Sequence, residues 1–320
     1  MKILHIVFML CAMLSYIDRT SAAEQIGVAR KLVFTKSTDG GYEFDTGILR
    51  GKLREAGKGL GMTSAVHLPS GKKLSGAYGI LSYYRVFTTN KRYGHAAWEW
   101  PSSSKLLSDG AVQVTWPRGN DRPFGMVAVY RFRDASTLDV ETTVNAVENL
   151  SKFEVFLASY FHENFPLPQV YVTACPETED NPAFLTAKKS FGNWQMFPRG
   201  DEVLPIIRDG RWQKQPNPVD WKIMPTLAKP IALRRGSKET KTAILMAPPG
   251  DCFAISTPYE GEGHYSLYFS LFGCDIRAGQ TATARLRLVL ANYVSDQDVL
   301  NLYRKYMKDM SKLAIQKDSL

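Results

Sequence analysis

The sequence is poor in the groups from which most enzyme signatures are built. It holds five histidines and four cysteines in 320 residues, and neither type recurs at a metal-binding or redox spacing. There is no Cys-x-x-Cys, no His-Glu-x-x-His, no Gly-x-Ser-x-Gly elbow and no Gly-rich loop closed by Lys-Ser/Thr. Those absences disfavour P-loop phosphoryl transfer, zinc proteolysis of the His-Glu-x-x-His type and the α/β-hydrolase nucleophile. Internal repeats and low-complexity tracts are lacking too. No apolar run after residue 17 approaches the roughly 20 residues that a bilayer-spanning helix needs. Hydrophobic residues at 44% and charged residues at 22% are ordinary globular values, so disorder does not account for the missing motifs.

What is present begins with export. Lys2, an apolar run from Ile3 to Ile17 and the small residues Ser21-Ala22-Ala23 follow the order of a secretory signal, residues 1–23, cleaved near Ala22/Ala23. The run is short for an anchor, and Cys11 lacks the context of a lipidated cysteine. The expected product is secreted or periplasmic, with no stable membrane insertion after cleavage. Loss of Lys2, Arg19 and Asp18 takes the net charge from +9 to +8. That balance suits an acidic partner, although basic residues spread along a chain also serve plain solubility. For an exported chain the expected partner is carbohydrate, an anionic polysaccharide rather than nucleic acid. Cys175, Cys252 and Cys274 remain, an odd number that permits one bridge. A hairpin folded at Gly263 would set Cys252 opposite Cys274, the candidate disulfide.

From residue 28 to 157, short β-branched and aromatic runs alternate with Gly, Asn, Asp or Pro punctuation. Examples are Gly79 to Thr88, Ala111 to Trp116 and Met126 to Phe132. Between Leu138 and Val147 apolar and polar residues alternate as in a strand with one buried face. Strand patterning returns at 242–246, 252–257, 265–272 and 283–291. Nine prolines fall within 165–229, a region expected to form long loops with a few isolated strands. Ser295 with Asp298 starts a helix over 296–313, on which Val299, Leu302, Tyr303 and Tyr306 recur at helical spacing. The expected fold is therefore mainly β, one antiparallel β-sandwich over 24–320 with long loops and a C-terminal helix.

Three clusters offer chemistry. In Ser159-Tyr160-Phe161-His162-Glu163-Asn164, an extended backbone puts Tyr160, His162 and Asn164 on one face, where Tyr160 and His162 suit proton transfer. The plainer alternative is a polar strand end. Tyr83-Tyr84-Arg85, Asn90, Arg92, His95 and Trp98 combine arginines with rings, a composition fit for a sugar's flat faces and its hydroxyls or carboxylates. The same composition fits an ordinary turn between aromatic strands. At the hairpin tip, Glu260, Glu262 and His264 form either an acid/base set or a solvated acidic loop. No cofactor or metal is expected, a structural calcium at this tip being the one exception considered. Trp194, Trp212 and Trp221 show that the proline-rich region is packed, and Trp194 joins the candidate substrate-binding residues. Asn149-Leu150-Ser151 matches a glycosylation sequon.

Ser159-Tyr160-Phe161 at a strand end resembles the His-Ser-Tyr-Phe-Asn segment of aldose 1-epimerases, in the galactose-mutarotase-like β-supersandwich group. Ala278-Gly279-Gln280 before a long alternating strand is similar to the end of many proteins of that fold, and the 90–94 segment loosely resembles the group's Asn-Arg sugar-contact segment. The resemblance implies a supersandwich and a carbohydrate-active protein. It does not carry epimerase chemistry, because Ala158 stands where the epimerases have their catalytic histidine. The most concrete expected form is lyase-like or hydrolase-like action on an acidic polysaccharide, with Arg85 or Arg92 neutralising a uronate and Tyr160 or His162 moving the proton. A glycan-binding protein without turnover is the alternative. A structural envelope protein is another, and it requires Trp98, Trp194, Trp212 and Trp221 all to be buried.

Overall fold

The computed structural model describes residues 32–58, 60–236, 241–292 and 294–318, with helix side chains as far as 312. The expected signal peptide and Cys11 lie outside the described residues.

Alternation builds two large sheets. Along Phe124–Asp134 buried and half-buried residues alternate for nine positions, the pattern of a strand with one face in a core. This strand belongs to a nine-stranded sheet ordered Ala183–Thr186, Leu167–Val172, Leu227–Arg235, Thr242–Met246, Thr281–Ala291, Thr137–Ala146, Phe124–Asp134, Val112–Trp116, Ser103–Leu106. A seven-stranded sheet is ordered Lys222–Ile223, Trp194–Pro198, Cys252–Pro258, Ser266–Ile276, Leu150–Tyr160, Ser82–Thr88, Lys91–Arg92. All pairings in these two sheets are antiparallel except that of Trp194–Pro198 with Lys222–Ile223. The two sheets share one core, in which Phe153, Val155 and Leu157 of one meet Val114, Trp116 and Leu286 of the other. Across it the Tyr83 phenol bonds to Thr142 Oγ1 at 2.6 Å, and its ring lies 4.9 Å from that of Trp116. A five-stranded sheet spanning Phe34–Lys36 to Lys72–Lys73 closes one end of this core, with Phe34 and Phe44 against Phe132. The fold is the expected β-sandwich.

The outer faces of the two large sheets are covered differently. Helix Asp296–Asp318 lays Val299, Tyr303 and Tyr306 on Ile231, Leu233 and Ile244 of the nine-stranded sheet. Its start is a capping box, with Ser295 Oγ accepting from the Asp298 amide and the Asp298 carboxylate accepting from the Ser295 amide. The helix continues past residue 313, the expected end. The outer face of the seven-stranded sheet carries no helix of that length, but a segment running from Val203 to Trp221. Val203, Ile206, Ile207 and Trp212 cover Phe87, Phe156 and Tyr268. Arg211 fastens this segment: its guanidinium, fully buried, pairs with the fully buried Glu154 of the sheet at 2.8 Å and with Asp209 at 2.8 Å. Asp209 also accepts from the Asn90 amide.

Two expectations are corrected. The strands in the 165–229 region are not isolated: Leu167–Val172 and Ala183–Thr186 finish one edge of the nine-stranded sheet, and Trp194–Pro198 and Lys222–Ile223 one edge of the other. Pro168 and Pro198 fall outside the stretches that the short edge strands Ala183–Thr186 and Lys222–Ile223 pair with, so their missing amides face no ladder partner. The 252–274 hairpin forms, but Ser256 pairs with Tyr268 and a bulge follows Cys252, so Cys252 faces Leu271 while Cys274 faces Phe153. The candidate disulfide is not formed, and Cys175, Cys252 and Cys274 are free thiols. Burial pushes the Cys252 thiol far above its ordinary pKa, which keeps it inert.

Candidate functional site

The uncovered part of the seven-stranded sheet's outer face is a cavity of about 390 Å³. Its floor is made by Tyr84, Phe156 and Tyr268, from adjacent strands. Phe156 and Tyr268 stack at 4.8 Å and 17°. Trp98 stacks on Tyr84 at 4.6 Å and 2°. Trp212 meets Phe156 edge-on at 4.8 Å, Trp221 meets Trp212 at 5.2 Å, and Trp194 meets Trp221 at 6.0 Å, extending the aromatic wall. Trp194 and Trp221 are half-buried, whereas Trp98 and Trp212 are buried. Full burial of all four, as a ligand-free structural role requires, does not occur.

A bulge places the polar groups. Phe156 pairs with Arg85 and Leu157 with Tyr83, so Tyr84 is an extra residue with no partner on the neighbouring strand. In a regular strand Tyr84 and Arg85 would point to opposite faces; the bulge re-aims them so that both line the cavity. Arg85 is only 4% exposed. Its guanidinium lies over the rings of Tyr84 and Trp212, and Nη2 donates to the Asn217 carbonyl at 2.8 Å. Nε and Nη1 are buried and have no partner. Burial alone would raise the Tyr84 phenol, but the charges of Arg85 and then Arg92 outweigh it and hold the pKa below the ordinary tyrosine value. Tyr160 lies at the other end of the floor, and there burial, then Tyr268, raises the phenol well above its usual value. The two tyrosines therefore suit opposite roles, Tyr84 as proton acceptor and Tyr160 as donor.

His264 lies opposite, 5.9 Å from the Trp194 ring and 6.4 Å from that of Tyr160, with Nδ1 hydrogen-bonded to Glu262 at 2.6 Å. Lys58, His95 and His264 join Arg85 as basic residues of the lining, and no Asp or Glu is among the lining residues. The loop bearing Tyr78 closes on the strand end through Gly76, where a Cβ would stand 2.7 Å from the Phe161 carbonyl oxygen.

Of the expected site residues, Arg85, His95, Trp98, Tyr160, Trp194 and His264 line this one cavity. All three sequence clusters thus contribute to it. His162 and Glu262 line a neighbouring cavity that Tyr160 and His264 share. The strand ends at Tyr160, so His162 follows in a turn rather than on a strand face; its Nδ1 accepts from the Asn164 amide, while Asn164 itself is tied to the Lys73 carbonyl. Arg92 sits behind Tyr84 and donates to the carbonyls of His95, Lys214 and Pro216, holding the cavity mouth; burial, with the Arg85 charge, lowers it to about 10. Asn90 and Glu260 line neither cavity. Among the described residues, no cluster of three or more His, Cys, Asp or Glu is arranged to hold a metal ion. Sequence reading missed the roles of Tyr84, Phe156, Trp212, Trp221 and Tyr268. The adjacent Tyr84-Arg85 pair was visible, but its shared direction depends on the bulge.

No family model matches the sequence, and no curated protein matches it. Solved structures match the fold. Slr1438 from Synechocystis has a TM-score of 0.51 at 9% identity, over 82% of this chain and 100% of its own. A galactose mutarotase-like protein from Lactobacillus casei has 0.50 at 12%, over 78% and 100%. The α-N-acetylgalactosaminidase NagBb from Bifidobacterium bifidum has 0.51 at 13%, over 84% of this chain and 39% of that larger one. The fold is that of the galactose mutarotase-like proteins, as the Ser159-Tyr160-Phe161 resemblance implies.

Proposed function

We propose that this chain is an exported protein, secreted or periplasmic, that acts on an acidic carbohydrate by β-elimination. Export rests on the three-part pattern of residues 1–23. The substrate class rests on one observation: Arg85, 4% exposed, holds two unpartnered N–H donors inside an aromatic cavity. A buried charge with unpartnered donors is costly, and a carboxylate oxygen satisfies one of them; Nε and Nη1 lie on opposite edges of the guanidinium, so the second is left for a hydroxyl of the ligand. Aromatic walls offer stacking surface to a sugar ring. A uronate residue supplies both partners. The names of the fold neighbours, a mutarotase-like protein and a galactosaminidase, support a carbohydrate ligand as well.

The lining favours elimination over hydrolysis, since paired-carboxylate hydrolysis needs two acids flanking the bond that breaks and none lines the compartment around Arg85. With the uronate carboxylate on Arg85, the Tyr84 phenolate takes the proton from the carbon beside that carboxylate. The freed electron pair forms a carbon–carbon double bond, the neighbouring C–O bond breaks, and the departing oxygen takes a proton from His264 or Tyr160.

The test is incubation of the purified protein with uronate polymers, following the ultraviolet absorbance of the new conjugated double bond beside calorimetric binding. Turnover is expected, and Tyr84→Phe should keep binding while losing activity by about 100-fold or more. Because the phenolate is the active form, the rate should rise with pH and level off below the ordinary tyrosine pKa of about 10. Saturable binding without turnover would leave the glycan-binding alternative in place of the lyase. Absence of both would overturn the carbohydrate reading.

A further inference from the structure

The aromatic cavity does not end at His264. A second cavity of about 510 Å³ shares Tyr78, Tyr160 and His264 with it, so the two are compartments of one cleft. Each is within the range of about 300–1,000 Å³ usual for small-molecule sites. Their charges differ in kind. The first has Lys58 and Arg85 and no carboxylate in its lining. The second has Glu163 and Glu262 and no lysine or arginine in its lining; His162 and His264 are there as well, and Glu262 holds the His264 imidazole, so the exposed Glu163 is its carboxylate unpaired among the described residues. The open donors of Arg85, inside the first compartment, fix which end takes the anion.

We infer that the ligand is a mixed glycan, with an acidic residue on Arg85 and, next to it along the chain, a neutral or amino sugar without an acidic group. This rests on the reading that Arg85 seats a uronate. The reason is electrostatic. A second uronate would bring its charge against Glu163 and Glu262, and like charges at close range act against a wrong ligand. Hydroxyl or amide N–H groups of an uncharged sugar instead donate to those carboxylates, the pairing that ionised acids accept. The stretch between the compartments is Tyr160 and Tyr78, whose rings meet at 5.0 Å, and it offers an apolar surface to the glycosidic link. A uronate homopolymer suits only half of this cleft.

The test is calorimetry on the full chain carrying Tyr84→Phe, so that probes are not consumed. The probes are a free uronic acid, a tetrasaccharide of uronate alone and a tetrasaccharide alternating uronate with N-acetylhexosamine. The alternating probe should bind about tenfold more tightly than the homopolymeric one. Adding Glu163→Gln and Glu262→Gln should raise affinity for the homopolymeric probe until the two are alike. If the double change unfolds the chain, Glu163→Gln alone, on an exposed side chain, should move the ratio in the same direction. Equal affinities in the unmodified cleft, or a tetrasaccharide no tighter than the monosaccharide, would overturn the mixed-glycan inference while leaving Arg85 as a uronate seat. No binding of any probe, or binding unchanged by Arg85→Ala, would remove the uronate seat itself.

Discussion

The two faces of the seven-stranded sheet are made by alternate residues of the same strands, yet they handle polar atoms in opposite ways. On Leu150–Tyr160, Phe153, Val155 and Leu157 turn into the sandwich, and Phe156, Ala158 and Tyr160 turn outwards. Hydroxyls on the inner side are closed by neighbours, Tyr83 on Thr142, Tyr130 on the Leu81 carbonyl and Ser159 by the Leu81 amide, while the polar atoms left without a partner there, such as the Trp116 indole N–H, carry no charge. The outer side holds charges of two sorts. Arg211 is closed on every donor, by Glu154, Asp209 and the Lys152 carbonyl. Arg85 has two open donors, Nε and Nη1. A closed buried charge fastens the covering segment, and the one with unpartnered donors is the seat proposed for the ligand.

Three substitutions break or sharpen that contrast. Glu154→Ala should have the largest effect, about 3–5 kcal/mol lost in denaturant titration, because it strands the buried Arg211 and loosens the segment that carries Trp212. A loss under about 1 kcal/mol would show that the ion pair anchors nothing. On the inner side, Leu157→Ala should cost about 2–5 kcal/mol through the cavity it leaves, with affinity of the folded protein for acidic probes unchanged. Weaker affinity there would mean the two faces are coupled. Arg85→Met should behave in reverse: stability within about 1 kcal/mol of the parent, or higher, because an open charge is replaced by an apolar chain, while uronate binding is lost. A marked loss of stability would place Arg85 with Arg211 as a fastener.

Much of the architecture was legible because it follows from periods of two and near four. The alternation of Leu138 to Val147 gives Thr137–Ala146, and the spacing of Val299, Tyr303 and Tyr306 gives the helix that covers the nine-stranded sheet. What was not legible arises where those periods break. The hairpin turns one residue before Gly263, which already sets position 252 opposite 272 rather than 274, and the bulge after Cys252 shifts it one residue further from Cys274. Two-residue strands such as Lys222–Ile223 are too short to show any period. The site was half visible: Arg85, Tyr160 and His264 stand out by type, but Phe156 and Tyr268 read as core residues, since no pattern in the chain says that one stretch of sheet is left open to solvent. Arg92 and Asn90 drew attention by type as well, and proved to hold loops in place rather than to line the cavity.

The extra residue at position 84 has a consequence for how activity on this sheet is gained and lost. Every pair on either side of Tyr84 belongs to one continuous ladder, Tyr83 with Leu157 and then Arg85 with Phe156. Deleting that single codon would splice the ladder into regular register and leave Arg85 on its own face, removing the candidate base without rewriting the strand. If Arg85 seats the acid and Tyr84 is the base, as proposed, one insertion or deletion separates a form that binds from a form that also cleaves, a step shorter than any rebuilding of the sheet around it.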